Sequence, residues 1–156
     1  CQDNEISWID WSLLEKNKDL FEFFKFMIDY RKKHPVIRKK LDNAVCGMEA
    51  MHAHDVNAER MEVPQNAKTL AVSFAGYDRK KGKDDLVYVA VNSYWEEVKI
   101  TLPNLANHGA WYLSVDTYGD EKGKYFYKEG EEIRIDREYV MKPRSIVVFT
   151  GREILR

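Results

Sequence analysis

The polar and apolar positions divide the chain into two parts with different periods. Between Lys18 and Lys33 the apolar residues recur at helical spacing, which predicts an α-helix. Pro35 disfavours helical geometry in the preceding residue, so the helix is predicted to end at His34, with one further turn over Val36–Lys39. From Thr69 onwards, short apolar or alternating runs stand between turn signals. That pattern is typical of antiparallel β-structure, and a helix followed only by strands is not the order of a complete α/β enzyme.

The second part predicts a mainly β, antiparallel sandwich. Leu86–Tyr94 is almost continuously apolar, which favours a central strand. The other strands are predicted at Thr69–Asp78, Glu97–Pro103, Trp111–Thr117, Lys124–Tyr127, Glu132–Asp136 and Ser145–Thr150. Residues 42–66 have no clear period and are interpreted as a connection with one short strand around Met48–His52.

The predicted helix has an unusually wide apolar face. Its polar residues form only a narrow stripe, made of Glu22, Lys25, Asp29, Lys32 and Lys33. Because a helix on the surface of a small domain usually has a narrower apolar face, we expect this helix to contact partners on two sides. Arg31 falls within the apolar arc, and a buried guanidinium needs a carboxylate or several carbonyls around it.

Composition and charge exclude some classes of binding partner. The chain has 25 Lys and Arg against 26 Asp and Glu, a formal net charge of −1, so it lacks the basic excess of a nucleic-acid binder. No apolar run is long enough to cross a bilayer, and we therefore predict neither a nucleic-acid nor a membrane partner. Cys1 and Cys46 form neither a disulfide framework nor a zinc-ligand spacing. Two reduced thiols are the expected state, and they favour a cytoplasmic location.

No complete catalytic constellation is visible in the sequence. Four acid pairs, all near predicted loops, are interpreted as solvated surface: Asp84/Asp85, Glu96/Glu97, Asp120/Glu121 and Glu131/Glu132. Neither a serine elbow nor a phosphate-binding glycine loop is present. His52 and His54 would share one face of a strand, but a third ligand is missing. A structural or surface role is favoured for both, and we predict no metal site and no cofactor.

Two groups of residues remain as candidates for binding. Trp95 follows Tyr94 in a predicted turn, where an open aromatic ring is suited to a sugar face, whereas Trp111 within a strand is expected in the core. Asp3, Asn4 and Glu5 form a polar cluster ahead of Trp8. This cluster either caps the following turn or lines a polar site in a larger protein, and the sequence leaves both readings open.

Several segments together resemble isoamylase-type glycogen-debranching enzymes of the α-amylase superfamily of glycoside hydrolases, the group that includes pullulanases. "CQDNEISWIDW" resembles the end of their catalytic barrel, and "FEFFKFMIDYRKKHPVIRK" resembles the last barrel helix. "DDLVYVAVNSYWEEVKITLP", "WYLSVDT" and "PRSIVVF" are similar to strands of their C-terminal β domain. One departure is Ala53 after His52, where related enzymes often carry a His-Gly pair.

The resemblance implies a segment of a longer retaining hydrolase that cleaves α-1,6 branches of glycogen or a related α-glucan, and the start at Cys1 rather than Met agrees with this expectation. Residues 1–41 would be the last loop and helix of a truncated (β/α)8 barrel, 42–66 the connection and 67–156 the C-terminal domain. The family's catalytic Asp, Glu and Asp map onto no position here, so the chain itself is expected to be non-catalytic. Asp3, Asn4 and Glu5 would lie near the substrate side of the barrel. Two further expectations follow: the uncovered helix face favours a dimer, and the alternative function is an α-glucan-binding module that uses Tyr94 and Trp95.

Overall fold

The computed structural model describes residues 3–60, 63–106 and 109–152. The chain begins with helices α1 (Leu13–Lys16) and α2 (Lys18–Lys33) and a 3-10 turn (Pro35–Ile37). Eight strands follow: β1 (Met51–His54), β2 (Thr69–Asp78), β3 (Lys83–Asn92), β4 (Val98–Thr101), β5 (Ala110–Asp116), β6 (Ile133–Ile135), β7 (Glu138–Met141) and β8 (Ser145–Arg152). The prediction of a mainly β chain with a preceding helix is confirmed.

The strands form two antiparallel sheets. Six of them lie side by side in the order β1-β2-β3-β8-β5-β6, and β4 pairs with β7 in a second, two-stranded sheet. Strand β3 pairs with β2 on one side and β8 on the other. Its residues Leu86, Val87 and Tyr88 are all buried, and its position between two strands confirms that the continuous apolar run is a central strand.

The larger core lies between the two sheets. Tyr88, Trp111 and Phe149 from the six-stranded sheet pack with Ile100 and Met141 from the small sheet. Trp111 is 1% exposed and its Nε1 donates to the carbonyl of Pro103 at 2.7 Å, so the predicted core role of this tryptophan is confirmed. The contact of two antiparallel sheets across one core agrees with the predicted sandwich.

Helix α2 covers the opposite face of the large sheet. Successive side chains of a strand point to opposite faces, so Val87 contacts the helix while its neighbours on β3 face the other core. Val87, Val115 and Val148 pack with Tyr30 and its neighbours on α2. Phe26 and Phe126 stack beside them, with ring centroids 4.6 Å apart. The helix therefore joins the β domain through one apolar side.

The second apolar side of α2 faces solvent. Leu20, Phe21, Phe24 and Ile28 are between 49% and 59% exposed. The prediction of partners on two sides is thus confirmed for one side, and a partner on the second side stays a prediction. The prediction for Arg31 is wrong, because the residue is exposed. Tyr30 points into the sheet, and the next residue along a helix is rotated by about 100° from that direction.

Two predicted strands differ from those observed, and one observed strand was not predicted. Lys124–Tyr127 does not form a strand, and its ladder is one isolated bridge between Phe126 and Val115. The carboxylate of Asp120 accepts the backbone N–H groups of Lys122 and Lys124 instead, which curls the chain into a loop. Strand β7 was not predicted, because its four residues have too little alternation to stand out. The short strand of the connection is Met51–His54 rather than Met48–His52.

Over the described ranges 3–60, 63–106 and 109–152, no helix has the length and apolar character that a membrane span requires. Cys1, on which the thiol prediction depends in part, lies outside the described residues.

Candidate functional site

A cleft of about 790 Å³ lies between the C-terminal half of α2 and the large sheet. Its walls come from α2, the β2–β3 hairpin, the end of β8 and the loop of residues 126–129. Polar side chains of the helix and of the strands line the cleft. Its volume falls in the range typical of small-molecule sites.

One end of the cleft is closed by a buried pair, His34 and Asp85. His34 Nδ1 lies 2.6 Å from Asp85 Oδ1, and the backbone N–H of Val36 donates to the other carboxylate oxygen at 3.0 Å. The Asp85 side chain is only 3% exposed. Asp85 thus binds both the residue that ends α2 and the 3-10 turn that follows, and this clamps the helix end onto β3.

The assignment of Asp84/Asp85 to solvated surface is therefore wrong. Neighbours on a strand point to opposite faces, and each carboxylate fastens a different segment. Asp84 accepts the backbone N–H groups of Val45 and Cys46 at 2.9 and 2.8 Å, which ties the connection to the start of β3. These two carboxylates act as structural anchors because each is already saturated with donors from this chain.

The floor of the cleft is a chain of buried hydroxyl groups. Tyr30 Oη lies 2.9 Å from Thr150 Oγ1, which lies 2.8 Å from Ser114 Oγ. A β-bulge in the β5–β8 pairing falls between Leu113 and Val115, and a bulge re-aims the inserted side chain. Burial raises the pKa of Tyr30 well above its usual range, so its hydroxyl keeps its proton at every physiological pH.

Arg152 and Glu132 form a charged pair near these hydroxyl groups. The Arg152 guanidinium binds the Glu132 carboxylate, whose side chain is 5% exposed. The guanidinium also lies 4.8 Å from the centre of the Tyr112 ring. The predicted surface position of Glu132 is also wrong, whereas its neighbour Glu131 and both members of the Glu96/Glu97 pair are exposed.

The predicted aromatic site around Trp95 is a separate, open surface. Trp95 is 64% exposed, and its ring centroid lies 4.3 Å from that of Tyr94. Lys68 Nζ lies 3.8 Å from the centre of the Tyr94 ring. We call Lys68, Tyr94 and Trp95 the aromatic platform.

Buried Asn92 holds the loop that carries this platform. Its amide nitrogen donates to the carbonyls of Glu96 and Lys142, and its oxygen accepts the backbone N–H of Tyr94. Sequence reasoning missed Asn92 and Lys68. An asparagine directly before a predicted turn was the available signal for the first, but Lys68 is distant in sequence and becomes a neighbour only through the β2–β3 pairing.

The polar cluster at the start of the chain makes a local turn. Asn4 Oδ1 accepts the backbone N–H of Ile6 at 3.1 Å, and its carbonyl accepts the Ser7 hydroxyl at 2.9 Å. Asp3 accepts the indole N–H of Trp8, while Glu5 is exposed. Asn4 thus caps the turn, which was one of the two roles considered for this cluster. A binding role of the three residues in a larger protein stays a prediction.

The two histidines of β1 do not assemble a metal site with other residues. Within the described parts of the chain, no group of three or more His, Cys, Asp or Glu side chains could hold a metal ion. His54 is fully buried, and its Nδ1 lies 2.7 Å from the carbonyl of Asp55. Burial lowers the pKa of His54, so the ring is neutral and belongs to the core.

Comparison with known proteins identifies the family of the β domain. The model of the family "Isoamylase, C-terminal" matches residues 45–150. Glycogen operon protein GlgX homologs of Mycobacterium bovis and Mycobacterium tuberculosis are 50% identical to this chain over 40 residues. That alignment covers 26% of this chain and 6% of each relative, so the relatives are several times longer than this chain. Because the family match includes all eight strands except the end of β8, this chain belongs to the isoamylase C-terminal family.

Proposed function

We propose that the chain is the C-terminal β domain, with the adjoining helix, of a longer hydrolase that cleaves α-1,6 branches in glycogen or a related α-glucan. In that protein the chain is non-catalytic and structural, and the protein is cytoplasmic. The observation that carries the proposal is helix α2, which binds the sheet with one apolar side and presents a second apolar side outwards. Such a helix is suited to lie between two layers of a larger molecule.

The outward side of α2 forms a continuous stripe. Leu20, Phe24 and Ile28 follow one another at a spacing of four residues, which places them on one face of the helix. Each is more than half exposed. Contiguous apolar patches of this kind mark surfaces that another structure covers, and a catalytic barrel is the occupant that the family membership favours.

A non-catalytic role agrees with the state of the acids in the cleft. Glycoside hydrolysis needs two carboxyl groups that face each other across a substrate. Asp84, Asp85 and Glu132 instead accept hydrogen bonds from this chain's own backbone, imidazole and guanidinium groups. They are anchors of the fold and are not available to protonate or attack a glycosidic bond.

The test compares the 156-residue chain with the longer gene product in an assay for new reducing ends from a branched glucan. We expect activity from the longer product and none from the chain alone. In the longer product, Phe24→Glu with Ile28→Glu should lower the melting temperature by several degrees, whereas Lys33→Glu on the polar side of the same helix should not. An inactive longer product, or a melting temperature that the double variant leaves unchanged, would overturn the proposal.

The same uncovered stripe favours association of the isolated chain into a dimer. Two copies could bury their stripes against each other because the exposed surface is apolar. This dimer is proposed for the isolated chain only and not for the longer protein.

A second candidate function is a module that binds α-glucan through the aromatic platform. The open, paired rings of Tyr94 and Trp95 beside a lysine favour this function. Retardation of the chain in a glycogen-containing gel, abolished by Trp95→Ala and retained by Tyr118→Ala at another exposed aromatic residue, would establish it. Migration unaffected by glycogen would favour the structural role alone.

Asp3, Asn4 and Glu5 remain candidates for glucan contact in the longer protein. This follows from the resemblance of their segment to the stretch after the last barrel strand. Their replacement together by alanine in the longer product should raise the KM for branched glucan more than it lowers kcat.

A further inference from the structure

We propose that the cleft between α2 and the large sheet is a carbohydrate site, which binds a short α-glucan chain and is separate from the aromatic platform. The identity of the sugar rests on the proposed function. The class of ligand, which is neutral and rich in hydroxyl groups, rests on the cleft itself.

The charges of the cleft exclude a strongly ionic ligand. Six Lys or Arg side chains and six Asp or Glu side chains line it. Several are already paired within the chain, among them Lys25 with Glu22 at 3.8 Å and Lys33 with Glu129 at 3.7 Å. A phosphate would meet carboxylates as closely as ammonium groups. A metal ion would lack ligands, because the described residues contain no group of three or more potential metal-binding side chains.

A neutral polyol fits the same lining. Each sugar hydroxyl both donates and accepts a hydrogen bond, and it therefore pairs equally well with carboxylates, ammonium groups and other hydroxyls. Glu132 and Arg152 present an acceptor and a donor next to the Thr150–Ser114 hydroxyl pair. The cleft lining thus offers both acceptors and donors to the hydroxyl groups of a sugar.

The cleft also supplies apolar surface and a rigid frame. The rings of Phe26 and Phe126 form part of the cleft wall, and the C–H face of a sugar can lie against them. Asp85 clamps the end of α2 to β3. A site that is formed before the ligand arrives loses less entropy on binding than one that must be ordered.

Two lysines on α2 offer a matched test. Lys25 lines the cleft, whereas Lys32 does not. Both are exposed, and each pairs with an acid three residues earlier, Glu22 and Asp29 respectively. Lys25→Trp should fill the cleft, and Lys32→Trp places the same side chain on the same helix elsewhere. Circular dichroism of both variants checks that the fold is retained.

The measurement is a titration of the 156-residue chain with maltohexaose, followed by NMR shifts of backbone amides. We expect saturable shifts at Ser114, Thr150 and Gly151, and a dissociation constant raised about tenfold or more by Lys25→Trp. Lys32→Trp should bind as the unchanged chain does.

Three results would overturn the proposal. The first is the absence of any shift with maltohexaose. The second is binding that Trp95→Ala abolishes and Lys25→Trp retains, because the aromatic platform would then be the site. The third is a response of these amides to inorganic phosphate in place of maltohexaose. None of these results depends on branch cleavage by the longer product. A failure to bind sugar in the cleft is therefore distinguishable from a failure of the proposed function.

Discussion

At the scale of single residues, the buried polar groups differ in how well they are paired. Tyr30 and Thr150 share a hydrogen bond across the interface of helix and sheet. Tyr88 Oη and His54 Nε2, by contrast, are buried without a hydrogen-bond partner, and their rings lie 5.4 Å apart in the larger core. An unpaired buried polar atom costs free energy that a paired one does not, so the two tyrosines should respond differently to loss of the hydroxyl.

Removal of the Tyr88 hydroxyl should leave stability unchanged or raise it. Tyr88→Phe deletes a polar atom that was desolvated without compensation, so we expect a gain of up to about 1 kcal/mol in the free energy of unfolding. Tyr30→Phe is the matched variant and should lose about 1 kcal/mol with its bond to Thr150. Urea unfolding of both proteins measures the difference, and a loss in Tyr88→Phe as large as that in Tyr30→Phe would contradict the prediction.

His54 should make the chain less stable in mild acid. Its pKa is lowered from 6.5 in the folded state because burial disfavours the charged ring. As the pH falls below about 6.5, the unfolded chain takes up a proton that the folded chain refuses. The free energy of unfolding should therefore decrease from pH 7.5 to pH 5.5.

The control for this pH dependence is His54→Gln. The comparison concerns the slope of the free energy of unfolding against pH, since the substitution itself also changes absolute stability. The slope between pH 7.5 and pH 5.5 should be shallower in the variant. Equal slopes in the two proteins would assign the acid sensitivity to other groups.

At the scale of elements, the docking of α2 determines the shape of the molecule. Apolar contacts to Val87 and Val148 cover the middle of the helix, but the end of the helix is positioned by one carboxylate. Asp85 receives both the imidazole of His34 and the N–H of Val36. Loss of that carboxylate leaves buried donors without an acceptor.

Asp85→Ala should lower the free energy of unfolding by about 3 kcal/mol, because bonds to a buried charged group are worth more than bonds between neutral groups. Glu138→Ala, which removes an exposed partner of Lys99, should cost less than 1 kcal/mol. Chemical denaturation compares the variants, and hydrogen exchange should show the largest loss of protection in the last turns of α2. Similar effects of the two substitutions would refute the anchoring role.

At the scale of the whole molecule, a three-layer arrangement leaves one layer incomplete. The small sheet, the large sheet and α2 are stacked in that order, and the outer side of α2 faces solvent with Leu20, Phe24 and Ile28 exposed. A chain of this size with such a stripe is expected to bury it by association when no other structure covers it.

The isolated chain should form a dimer through α2. Sedimentation at increasing protein concentration should show a shift from monomer to dimer, and Phe24→Glu should move the equilibrium back to monomer. Lys33→Glu, on the polar side of the same helix, is the control. A monomer at every concentration, or a dimer unaffected by Phe24→Glu, would contradict this expectation.

Much of the β part was predictable because its signals are local. The alternation in Thr69–Asp78 and the continuous apolar run from Leu86 correspond to paired strands at nearly the predicted positions. The prediction of a strand at Lys124–Tyr127 was wrong because a carboxylate, and not a neighbouring strand, accepts hydrogen bonds from the nearby backbone N–H groups. Strand β7 was missed because four residues carry too little pattern for a period to emerge.

The sequence by itself determined the order of helix and strands, the two apolar sides of α2 and the family resemblance, since each depends on spacing along the chain. The tertiary structure decided which side of α2 is covered, which acids are buried and where the cleft lies. Asp85 meets His34 across 51 residues of sequence, and Lys68 meets Tyr94 through strand pairing. Such contacts follow from register and helix docking, which are set by the packing of the whole core and leave no local trace in the sequence.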